Sequence, residues 1–132
     1  AAGLWLRIIN FMKQMARHYG SIHFKVEGEA PGNFIISSAK ALHIILLLQE
    51  AVNNAVKHAS ATTITAESTV TKEGWNISVT DNGSGFDQTL LKSKQTDSYG
   101  LQNMQERATA SAIDFSIQST PEQGTTVMIT IK

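Results

Sequence analysis

The chain has 132 residues, 42% of them apolar and 17% charged, which is the balance of one ordinary globular domain and excludes disordered and fibrous classes. Lys plus Arg number 11 and Asp plus Glu also 11, so the basic footprint of a nucleic-acid-binding protein is missing and no nucleic-acid partner is expected. There is no cysteine, which removes disulfide scaffolds, thiolate zinc sites and thiol nucleophiles.

No apolar run approaches the roughly 20 residues of a membrane span, so membrane contact by this chain is not expected. It begins Ala-Ala-Gly instead of Met and shows no signal-peptide pattern, so it is expected to be an excised or processed piece. Leu4, Trp5, Ile8, Ile9, Met12 and Met15 fall on one helical face between Leu4 and Tyr19, closed by Gly20. That stripe reads as core, or as a seam to helices outside the chain. Ile22, Phe24 and Val26 alternate with His23 and Lys25, a short strand before a loop from Glu27 to Asn33. The longest helix starts near Ser37 or Ser38 as its cap and runs to about Ala59.

Ile64, Ala66, Ser68 and Val70, then Trp75, Ile77 and Val79, form a hairpin around Thr71-Lys72-Glu73-Gly74. Asp81 to Tyr99 is polar and aperiodic, a loop long enough to be functional. Gly100 to Ala110 reads as a helix, and Ile113/Phe115/Ile117 with Val127/Ile129/Ile131 make a second hairpin turning at Thr120 to Gly124. Strands that come as hairpins, with few crossovers, predict an α+β two-layer sandwich. Its sheet is mixed, mostly antiparallel, and covered by helices on one face.

On the long helix, steps of about 100° gather Ile44, Leu48, Ala51, Val52, Ala55, Val56 and Ala59 into an apolar stripe. Glu50, Asn53, Asn54, Lys57 and His58 share the opposite side. A merely solvated face carries long Glu and Lys, whereas two adjacent Asn mid-helix cost a few tenths of a kcal/mol each. Propensity given up in this way marks functional positions, and an amide oxygen is a neutral hard ligand suited to magnesium. The strand from Trp75 ends in Asp81-Asn82-Gly83-Ser84-Gly85-Phe86. A carboxylate there can accept from an exocyclic amine, while the glycines let backbone approach a flat ring. Neither a dinucleotide fingerprint nor a Walker loop is present, although amides at the helix start after Gly100 suit phosphate.

Four ordered blocks, Gln49 to Ala59, Asp81 to Phe86, Tyr99 to Ala108 and Gly124 to Val127, resemble the asparagine box and successive glycine boxes of the GHKL nucleotide-binding domain (Bergerat fold). The closest likeness is to the catalytic and ATP-binding domain of bacterial sensor histidine kinases, in the subgroup carrying Gly-Leu-x-x-Met-x-x-Arg-Ala. The resemblance implies one ATP-binding domain over residues 1–132, its lid at about 87–99, with the dimerisation and phosphoacceptor domain elsewhere. It implies ATP and Mg2+ as ligands. Asn54 matches the magnesium-holding position, and Lys57 and His58 match positions facing the phosphates. Asp81 matches the acid that reads the adenine amine, and Gly83, Gly85 and Phe86 belong to the close-approach loop. Gly100 and Leu101 match lid-end phosphate contacts, Thr125 a hydroxyl near adenine, and Glu50 a general base of the superfamily's ATPase branch.

None of the four histidines sits in a phosphoacceptor context, so this piece is expected to bind ATP without phosphorylating itself. The implied partners are a phosphoacceptor helical domain of the same protein and a response regulator. The piece is expected to be monomeric and cytoplasmic, and the whole protein homodimeric, with or without membrane spans. A stand-alone serine kinase of the anti-sigma type, or a non-catalytic nucleotide-sensing module, would use the same boxes. Asn76-Ile77-Ser78 matches a glycosylation triplet only by chance.

Overall fold

Apolar residues that recur every third or fourth position become helices here, and those that alternate become strands. A computed structural model describes residues 2–32, 34–58, 61–83, 113–120 and 123–131. Its elements are α1 (Ala2–His18), β1 (His23–Glu27), α2 (Ser38–His58), β2 (Thr63–Thr71), β3 (Gly74–Asp81), β4 (Asp114–Thr120) and β5 (Gly124–Ile131). The expected helix from Gly100 lies outside the described residues.

The five strands form one sheet in the order β1-β2-β3-β5-β4. β1 runs parallel to β2, with α2 as the crossover such a pair requires, and the other three pairings are antiparallel. The sheet is thus mixed and mostly antiparallel, as the hairpin pattern implied. On its inner face Ile64, Ala66, Ile77, Val79, Val127 and Ile129 are buried. From α2 they meet Ile44, Leu47, Leu48, Val52 and Ala55. Burying each such large side chain is worth about 1.5–3 kcal/mol. Leu4, Trp5, Ile8 and Met12 of α1 join this core, and α1 packs on both β1 and α2. Of the two readings of that stripe, the core is the one realised.

The start of α2 is set by Ser37. Its Oγ accepts from the Lys40 N–H at 3.1 Å and its carbonyl takes the first helical bond, from Ala41, at 2.9 Å. No helix among the described residues is long and apolar enough to cross a membrane.

One inward position departs from the alternation. Val70 is 56% exposed, because its partner Trp75 folds back to donate its Nε1–H to Ser68 Oγ at 2.6 Å and to lean on Phe34. The hairpin tip is left in water. Ser68 Oγ in turn donates to the carbonyl of Glu29 at 2.7 Å, tying the loop after β1 to β2. Gly28 completes this crossing at φ +89°, where an added Cβ would be driven into the Ser68 carbonyl. Gly28→Ala should therefore lower unfolding free energy by about 1–3 kcal/mol. Gly32→Ala, with open space around it, should stay within about 0.5 kcal/mol; urea titration followed by tryptophan fluorescence separates the two.

Candidate functional site

Continuing the inner face one strand step beyond Val79, toward the end of the sheet where β2 begins, the apolar rows give way to a polar one. Ile64, Asp81, Thr125 and Ser119 lie side by side on β2, β3, β5 and β4. Asp81 is 7% exposed and Ser119 9%. Gly83 donates its N–H to Asp81 Oδ1 at 2.9 Å, and the Thr125 N–H also donates to this carboxylate. Burial raises the Asp81 carboxyl above its ordinary 3.8, the two backbone bonds pulling the other way.

The backbone is shaped to this purpose. Gly124 adopts φ +107°, and a Cβ there would be driven into the Asp81 carbonyl. Ser119 Oγ donates to the Gly124 carbonyl at 3.2 Å and lies 2.8 Å from Thr125 Oγ1. Asn82, the residue that follows β3, is a clamp. Its Oδ1 accepts from the N–H groups of Thr62 and Thr63, both at 2.9 Å, and its Nδ2 donates to Thr62 Oγ1 at 2.8 Å. Thr62 and Thr63 lie just beyond the C-terminal end of α2. The clamp therefore holds the polar row beside that end of the helix.

On α2, three of the polar groups are withdrawn from open solvent. Glu50, Asn53 and Asn54 are half-buried, Lys57 is exposed, and His58 closes the helix. The Asn54 Nδ2 is fully buried with no hydrogen-bond partner, a costly state for an amide unless something else completes it. Rotating that amide by half a turn puts its oxygen in the same place. Leu48 and Val52, six and two residues earlier, share a small apolar void with Ala66 and Val79. The sheet rows and the helix thus advance together toward Asp81. Gly85, Phe86, Gly100, Leu101 and the expected lid at about 87–99 lie outside the described residues.

Among the described residues no three His, Cys, Asp or Glu gather as a metal site, so an ion here would rest on neutral oxygen and on the ligand's own charge. The unpartnered Asn54 amide fits that role. A broad open groove lined by Glu73, Asp114, Met128 and Thr130 lies on the sheet face turned away from the helices, remote from Asp81. Asn76, of the glycosylation triplet, is held within the sheet, accepting from Thr130 Oγ1 at 2.8 Å and donating to Thr71 Oγ1 at 3.2 Å. Sequence reasoning missed Ser119 and Asn82. Ser119 could have been found as a polar residue at the inward parity of Ile117.

Residues 39–132 match the family of histidine kinase-, DNA gyrase B-, and HSP90-like ATPases. The chain is 34% identical over 110 residues to the signal transduction histidine-protein kinase/phosphatase DegS of Bacillus subtilis, covering 83% of this chain and 28% of that protein. It is 36% identical over 87 residues to the sensor protein VraS of Staphylococcus saprophyticus, covering 66% and 24%. It thus spans about a quarter of these relatives' length. The histidine kinase domain of the Erythrobacter litoralis blue-light activated kinase superposes with a TM-score of 0.76 at 18% identity, over 97% of this chain and 64% of that one. The ATP binding domain of PrrB from Mycobacterium tuberculosis gives 0.68 at 22% identity, over 91% and 86%. With its fold that of histidine kinase ATP-binding domains and most of its length within the family match, the chain belongs to the histidine kinase-, DNA gyrase B-, and HSP90-like ATPases.

Proposed function

We propose that this chain binds Mg-ATP and donates the γ-phosphoryl group to a histidine on a separate helical domain of a sensor kinase, which then passes it to a response regulator. The observation that carries the reading is the buried Asp81 carboxylate. It is desolvated, held by the Gly83 N–H at 2.9 Å, and set beside a helix whose Asn54 amide has no partner. A protein gains no stability from such a pair of polar groups, so a ligand is their natural complement.

Asp81 accepts the adenine amine, while the Gly83 N–H holds the carboxylate in place. Gly83 and Gly124 keep backbone close to the ring plane. The phosphates run back along α2 from its C-terminal end. Lys57 and His58 face them, and Gly85, Phe86, Gly100, Leu101 and Thr125 complete the nucleotide contacts. Asn54 would hold magnesium through its amide oxygen, and the ion when bound neutralises phosphate charge. Glu50, one turn before Asn54, takes in this reading the proton that the acceptor imidazole loses as its nitrogen bonds to phosphorus and the bond to the ADP oxygen breaks. Phosphoryl transfer demands little more than such positioning and charge neutralisation.

Titration calorimetry with ADP and a non-hydrolysable ATP analogue tests the site. Asp81→Asn turns an acceptor into a donor facing the amine and should weaken binding by at least about tenfold. Asn54→Ala should leave binding in place but abolish its magnesium dependence. A wild-type chain that binds neither nucleotide overturns the reading. Supplied with the helical domain, the chain should label a histidine there, and Glu50→Gln should slow this by about 10²-fold or more with ATP affinity unchanged.

Acidity gives an independent check. Because burial raises the Asp81 carboxyl above 3.8, nucleotide affinity should be full above that raised value and fall as pH drops through it. Fold stability moves the opposite way: the folded state holds this proton more tightly than the unfolded chain, so the Asp81 contribution is lost as pH rises through the same range. Asp81→Asn should therefore melt at or above the wild-type temperature at neutral pH while losing nucleotide.

A further inference from the structure

Ser119 faces inward from β4, 9% exposed, in a row with Thr125 and Asp81 on the next two strands. Its Oγ stands 3.2 Å from the Gly124 carbonyl and 2.8 Å from Thr125 Oγ1. A carbonyl only accepts, so the single Ser119 proton is directed to Gly124. The shorter contact is then made by the Thr125 hydroxyl donating to Ser119. Thr125 has one hydroxyl proton, and this arrangement turns it away from Asp81. What Thr125 Oγ1 retains are lone pairs.

Directly paired residues on antiparallel strands stand about 4.5–5.5 Å apart at Cβ and share a face. Asp81 and Thr125 are such a pair. The carboxylate already accepts from Gly83 and, ionised, has no proton to give. Two neighbouring side chains thus offer acceptors alone. A base with an amine at its six position satisfies both, whereas a carbonyl at that position, with its donor moved to the neighbouring ring N–H, sets a third acceptor against them, a basis for rejection.

We propose that Ser119 sets the base specificity of this site by fixing the direction of the Thr125 proton, so that the pocket takes a purine bearing an amine at its six position and rejects one bearing a carbonyl. The inference rests on the nucleotide reading of the site. Ser119 is a positioning residue in it, acting through Thr125.

ATP and ITP differ at that six position, an amine against a carbonyl, and calorimetry of both on the 132-residue chain tests the proposal. Wild type should prefer ATP by at least about tenfold. In Ser119→Ala the Thr125 hydroxyl is released to turn its proton toward a carbonyl, and the ATP to ITP ratio should narrow by about fivefold. Ser119→Thr keeps a hydroxyl there and should restore the ratio. A purely structural Ser119 would weaken both nucleotides alike, and an unchanged ratio in Ser119→Ala overturns the proposal. Should that variant fail to fold, Ser119→Cys, whose thiol is a far weaker acceptor for the Thr125 proton, carries the same test: a narrowed ratio supports the proposal and an unchanged one overturns it. Wild type binding ATP and ITP equally overturns this inference alone. Wild type binding neither overturns the nucleotide site itself.

Discussion

Once Leu48, Val52 and Ala55 of α2 are pressed onto the sheet, the inward side chains of β2, β3 and β5 beneath them lose most of their water, Val70 at the hairpin tip excepted. A polar group is tolerated there only with partners. The rows formed by Ala66, Val79 and Val127 and by Ile77 and Ile129 meet this condition by being apolar. The last row does not, and its three polar members survive because backbone serves Asp81 and Ser119 and the Ser119 hydroxyl serves Thr125. Gly83 and Thr125 supply N–H groups to Asp81, and Gly124 supplies a carbonyl to Ser119. Close approach of this kind is why Gly124 sits at positive φ against the Asp81 carbonyl.

The same condition explains what the row costs and what it offers. A carboxylate whose proton affinity is raised by burial opposes folding in its ionised form, and the apolar rows below it offset that opposition. In return the carboxylate is rigid, desolvated and aimed, which is what recognition of a single amine requires. Asn82 serves the arrangement from outside. By tying the end of β3 to Thr62 and Thr63, it couples the position of Asp81 to the segment leaving α2, the helix that carries Asn54. The end of β3 is therefore fixed to the start of β2, the strand that follows α2 in the chain.

Much of the scaffold was legible because periodicity is a direct print of burial. Ile44, Leu48, Ala51, Val52 and Ala55 declare the buried stripe of α2, and Val127, Ile129 and Ile131 declare the inner face of β5. Ser37 declares the start of α2 because a hydroxyl there has an unpaired amide to serve. Val70, in its strand as expected but 56% exposed, marks the limit of that print, since alternation says which way a side chain points and not whether anything covers it. Asn54 and Asp81 stood out through a resemblance of ordered blocks, and through residue types that local propensity would not choose.

The amino-acid sequence by itself determined the elements, the two-layer class, the family and the identity of the polar groups on α2 and at the end of β3, because each of these depends on residues close together in the chain. Only the tertiary structure decided that Asp81, Thr125 and Ser119 stand in one row. It alone decided that Asn82 is a clamp between distant segments, and that the Asn54 amide is buried without a partner. Strand register, hydrogen-bond direction and burial arise between residues far apart in sequence, where periodicity carries no record of which side chains will meet.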